Sequence, residues 1–109
     1  MAYDEQLAEQ VREVLSGEPG LTDKRMFGGL GFLINGNLAV SASGQGGLLL
    51  RVNPAESETL VADANASRAV MRGREMDGWL RVDTDGLSDA ELERWIGRGV
   101  SFARSLPAK

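Results

Sequence analysis

The sequence predicts an α+β domain in which an antiparallel sheet of about six strands carries helices on one face. Three observations predict it. Short runs with apolar side chains at alternate positions fill residues 22–52. Asn-Gly, Asp-Gly and glycine-rich breaks separate the runs, which is hairpin chemistry. The chain opens and closes on apolar stripes of helical period, the second behind a capping box. The order that results is α-β-β-β-β-α-β-β-α. At 109 residues this is one domain, 1–109.

Leu7, Val11, Val14 and Leu15 follow i, i+4, i+7, i+8, one stripe of a helix over Asp4–Ser16. Asp4, Glu5 and Glu9 stand near its start, where the helix dipole favours negative charge. Gly17 ends it, and Glu18-Pro19-Gly20 turns the chain. Strands are expected at Thr22–Phe27 and Leu30–Ile34, with Leu30, Phe32 and Ile34 on one face. Asn35-Gly36-Asn37 then turns a hairpin. In the next strand Leu38, Val40 and Ala42 share a face, and Ser41 and Ser43 point to solvent. A loose loop, Gly44–Gly47, leads to a strand over Leu48–Val52.

Asn53-Pro54-Ala55-Glu56 is a helix start, with Asn53 as the cap and Glu56 at the capping-box position, and the helix runs to Ala62 or Asp63. Residues 64–73 fit either element. Arg74–Met76 and Trp79–Val82 read as two short strands around an Asp77-Gly78 turn. Ser88 and Glu91 form a second capping box. Leu92, Trp95, Ile96, Gly99 and Ala103 make the last helical stripe, on which Gly99 costs about 1 kcal/mol against alanine unless another backbone comes close. Trp79 and Trp95 are assigned to the core. Strand order is not readable from one sequence.

Composition narrows the function. The chain has no cysteine, which excludes disulfides and thiolate chemistry, and no histidine, which removes the commonest metal ligand and general base. No basic leader precedes an apolar run, and no apolar run reaches the ~18 residues of a membrane span. A soluble, cytoplasmic protein is expected. The net charge of −4 argues against direct nucleic-acid binding. Charge is uneven, however: residues 1–23 carry one positive and six negative side chains, and residues 24–81 carry seven and five.

Each candidate site has a structural counterpart. Gly28, Gly29 and Gly31 precede a strand rather than opening a helix, so they match neither dinucleotide nor P-loop geometry and are read as shaping the sheet. Asp83-Thr84-Asp85-Gly86 places its glycine two positions too early for a calcium loop. The serines have no histidine partner. Arg68, Arg72, Arg74 and Arg81 crowd one region and form the candidate interaction patch, with surface pairing to Glu75, Asp77 and Asp83 as the plainer account. No catalytic residue, cofactor or metal site is assigned. A carboxylate enzyme using Asp83, Asp85 or Glu75 would need these groups in one cleft.

Four stretches together resemble the TfoX/Sxy family, in its TfoX N-terminal domain. They are Lys24-Arg25-Met26-Phe27-Gly28-Gly29 with the Asn35-Gly36-Asn37 turn, the strand and helix cap "GLLLRVNP" from Gly47 to Pro54, Gly78-Trp79, and the closing capped helix. The similarity spans Tyr3 to Pro107. Met26, Phe27, Gly28, Gly29, Asn35, Gly36, Gly78 and Trp79 are its motif positions. The resemblance implies a secretion-chaperone-like α+β fold and a link to competence and transcription regulation, through co-regulation with the cyclic-AMP receptor protein. It implies no catalytic residues. Full-length regulators carry a second, C-terminal domain, so a stand-alone first domain is expected here. The function expected is a small non-enzymatic bacterial interaction domain. Its partner would be a transcription regulator or another protein, or a second copy joined at an exposed strand edge. The alternative is a phosphate- or nucleotide-binding domain with its pocket near Gly28–Gly31.

Overall fold

The computed structural model describes residues 3–26, 28–63, 65–71 and 73–108. The first helix, α1 (Glu5–Leu15), starts at Asp4, whose carboxylate accepts the backbone N–H groups of Gln6 at 3.0 Å and Leu7 at 3.1 Å. Those donors have no partner inside the helix, so the cap satisfies them. Four strands follow: β1 (Leu21–Met26), β2 (Gly29–Ile34), β3 (Asn37–Ala42) and β4 (Leu48–Arg51). A 3-10 turn over Pro54–Glu56 runs into the one-turn helix α2 (Ser57–Leu60). Strands β5 (Ala66–Met71) and β6 (Arg74–Val82) and the long helix α3 (Asp89–Ser105) complete the chain. The element order is the one expected.

All six strands form one antiparallel sheet in the order β1-β2-β3-β4-β6-β5, with β1 and β5 at its edges. Asn35 (φ 52°) and Gly36 (φ 84°) both take positive φ between the paired residues Ile34 and Asn37, the geometry of a tight hairpin turn. At the β1–β2 turn the reason for glycine is contact. A Cβ on Gly29 would fall on the carbonyl oxygen of Ala42, one strand over. These glycines shape the sheet, as the sequence indicates.

One face of the sheet, carrying Leu30, Phe32, Ile34, Val40, Leu48, Leu50, Leu80 and Val82, packs against α1 and α3. Alternation along each strand places these residues together, and the two helical stripes close over them. Helix α3 contributes Leu92, Trp95, Ile96, Val100 and Ala103. Its start is the expected capping box: Ser88 Oγ accepts the Glu91 N–H and Glu91 accepts the Ser88 N–H, each at 3.2 Å. Gly99 lies where α3 crosses β3, and a Cβ there would meet the carbonyl oxygen of Ala39. The backbone approach that a stripe glycine implies is therefore present. At the far end, Asn37 is buried and its side-chain amide donates to the Pro107 carbonyl at 2.9 Å, holding the tail against the sheet.

Four expectations change. Asp77-Gly78 does not turn a hairpin; β6 runs straight through it, and the connection to β5 lies between Met71 and Arg74. Arg68 opposes Leu80 and Ala69 opposes Met76, so Asp77, Gly78 and Trp79 bulge from the β5 ladder while Trp79 stays paired with Arg51 of β4. The dipeptide has the positive φ that a turn would use, 84° at Gly78, but spends it on a bulge. Strand β5 falls within the stretch 64–73 that fits either element by pattern alone. Second, Phe32 opposes Val40 and Leu33 opposes Leu38, which makes Ala39 an extra residue. Leu38 is thereby rotated to the face opposite Val40, beside Gly31 and Met26.

Third, Ser41 is buried at 1% exposure rather than solvated, because Leu49, Ala69 and Arg81 close around it on the face without helices. Fourth, the helix after Asn53 is shorter than expected. Asn53 does cap, accepting the Ala55 N–H at 3.0 Å, but regular structure ends at Leu60. Trp95 is in the core at 3% exposure, whereas Trp79 is only half-buried.

Candidate functional site

Helix α3 has two faces with different chemistry. Its inward stripe is apolar, and its outward positions Arg94, Gly97, Arg98, Ser101 and Ser105 are charged or small. The end of β4, the 3-10 turn and α2 stand beside it. Together they bound an open groove of about 620 Å³, lined by Val52, Asn53, Glu56 and Leu60 on one side and by Arg94, Gly97, Arg98, Ser101 and Phe102 of α3 on the other. That volume is in the range of binding clefts.

The groove is cationic with an aromatic backing. The Arg98 guanidinium lies 4.4 Å from the ring centroid of buried Trp95. Arg51 sits at the groove's border, 5.7 Å from the Phe102 ring and 5.5 Å from the Trp79 ring. Such stacking holds an arginine head in place while leaving its N–H donors free. Four ion pairs form among the described residues, Arg12–Glu9, Arg12–Asp23, Arg68–Asp77 and Arg104–Glu18, and none uses Arg51, Arg94 or Arg98. Glu56 is the acidic side chain in the lining. Arg94 and Arg98 are one helical turn apart, about 6 Å along the axis.

The arginines singled out in the sequence do not converge. Arg68 donates to Asp77 at 2.9 Å. Arg81 donates to the side chain of Gln45 and, at 3.1 Å, to the Gly46 carbonyl, tying β6 to the β3–β4 loop. By register Arg68 shares the face of Leu80 and Arg81 the opposite one. Arg74 is exposed at the β5–β6 connection, and Arg72 lies outside the described residues. The motif positions are architectural where they are described. Gly28 and Gly29 belong to the β1–β2 connection, Asn35 and Gly36 make the next turn, and Met26 packs beside Gly31. Phe27 lies outside the described residues. Gly78 anchors the β6 bulge: its N–H donates to the buried Ser57 Oγ at 2.7 Å and its carbonyl accepts the Val52 N–H at 2.9 Å.

Asp83 and Asp85 border a polar depression with Asp4 and Arg81, whereas Glu75 stands at the other end of β6, so the three carboxylates do not form one cleft. The groove residues Arg51, Arg94, Gly97 and Arg98 escaped the sequence reading. A signal for them existed: two arginines at i, i+4 off the apolar stripe, with a helical glycine between them that no buried contact explains.

A family model for the TfoX N-terminal domain matches residues 13–103. The chain belongs to the TfoX N-terminal domain family. The match covers every strand and the groove-forming parts of α2 and α3. No curated protein and no solved structure matches the chain significantly. Among the described residues of this TfoX N-terminal domain, no helix is long and apolar enough to cross a membrane.

Proposed function

We propose that this TfoX N-terminal domain is a cytoplasmic, non-enzymatic regulatory module that works by binding another protein. One observation carries the proposal: in a chain of net charge −4, three arginines without an ion-pair partner among the described residues gather on a groove between α2 and α3. Charged side chains left unpaired on a concave, partly apolar surface favour association with a complementary surface. The family's link to transcription regulation makes a transcription regulator the first partner to try.

The test uses the domain and an R94E/R98E double variant as immobilised bait in a lysate of the native host. A protein retained only by the unaltered domain is identified, purified and recombined with it. Saturable one-to-one binding by calorimetry supports the proposal. Failure of every retained protein to bind in purified form refutes it.

A second mode rests on a separate feature. Strand β5 is a sheet edge, and Val70 on it is 61% exposed, the exposed large apolar side chain among the described residues. Unpaired edge groups beside an apolar side chain favour strand addition by a second copy. Light scattering decides it: a dimer that Val70→Lys converts to monomer supports this mode, and a monomer at all concentrations removes it.

A further inference from the structure

Gly97 sits in the middle of α3, where glycine costs stability relative to alanine. Its neighbour Gly99 has a reason in the fold, because a Cβ would strike the Ala39 carbonyl. Gly97 has none: a Cβ would meet nothing within 4 Å. The bare position lies in the groove lining, between the two unpaired arginines. A glycine that the fold does not use leaves room for a backbone to come close from outside.

The charges say what kind of backbone. Arg94 and Arg98 are spaced by one helical turn rather than converging on a point, so they suit two carboxylates on successive turns better than one phosphate. Val52, Leu60 and Phe102 supply apolar contact between them, which a free anion would not use. We infer that the occupant of the groove is an acidic amphipathic helix of a partner protein, laid across Gly97 with carboxylates toward Arg94 and Arg98. This rests on the protein-binding function proposed above and names the partner's chemistry.

The test selects binders from a display library of random 16-residue peptides against the whole domain and maps them by amide chemical shifts. Enriched peptides are expected to be net acidic, to turn helical when bound and to shift the amides of Arg94, Gly97 and Arg98. R94E/R98E should lose at least about tenfold in affinity and recover it with a peptide whose Glu residues are exchanged for Lys. Gly97→Leu should fold normally and lose affinity to a similar degree. Peptides without acidic bias, shifts centred on β5, or an absence of enrichment would each overturn the inference. Protein binding as such would survive the first two outcomes and is decided independently by the purified partner. Inorganic phosphate or ATP shifting the same amides, with Gly97→Leu unaffected, would give the groove to a phosphate ligand and also overturn it.

Discussion

Two glycines two residues apart on α3 should respond to the same substitution with opposite sign. Gly97→Ala and Gly99→Ala gain the same intrinsic helix preference, about 1 kcal/mol, since both lie in the interior of a 17-residue helix. At Gly97 the new methyl enters open space, so the variant should be stabilised by about 0.5–1 kcal/mol. At Gly99 the methyl would lie within 3.0 Å of the Ala39 carbonyl oxygen, a separation real Cβ atoms essentially never show, and 3.3 Å from Leu50 Cδ1. The oxygen belongs to the backbone of a central strand and cannot rotate away. Helix α3 must lift from β3, and overpacking of this kind costs about 1–3 kcal/mol.

The propensity gain cancels between the two variants, so their difference isolates the clash. Urea denaturation followed by circular dichroism should place the Gly97→Ala midpoint above the unaltered protein and the Gly99→Ala midpoint below Gly97→Ala by about 1–3 kcal/mol, with equal m-values. For a chain of this length that gap is roughly 4–12 °C in Tm. If Gly99→Ala proved as stabilising as Gly97→Ala, the close crossing of α3 over β3 would be refuted. The explanation of the stripe glycine would fall with it.

Three further outcomes follow from the same geometry. Ser57→Ala leaves the buried Gly78 N–H without its acceptor and should cost about 1–3 kcal/mol, which thermal denaturation would register as a clear drop in Tm. Gly78→Ala forces a side chain into positive φ, 3.0 Å from Pro54 Cγ, and should cost about 1–2 kcal/mol; a neutral result in the same assay would contradict the bulge. Ser88→Ala removes the α3 cap and should cost about 1 kcal/mol, with amide exchange of Glu91 accelerated and that of Val100 little changed. R94E/R98E, by contrast, should unfold within about 0.5 kcal/mol of the unaltered protein, because neither side chain makes an ion pair among the described residues.

The sequence by itself determined the element order, the strong caps and the face that each regular segment buries. Those features are local. Asp4 and Ser88 satisfy donors within a turn of themselves, Asn35-Gly36 needs only its own backbone to reverse the chain, and the period of apolar residues sets a helix or strand face without reference to neighbours. The tertiary structure alone decided the strand order, which inserts β6 between β4 and β5. It also decided the fate of Asp77-Gly78. That dipeptide is equally fit for a turn or a bulge, and the choice fell to Ser57 and Val52, which accept and donate across the chain to Gly78. Leu38 shows the same dependence, since one extra residue at Ala39 moves a side chain to the other face of the sheet. The groove was invisible for a related reason. Arg94 and Arg98 look like ordinary solvated charges until α2 and the end of β4 stand beside them, and a glycine is known to be unexplained only when the space around it can be measured.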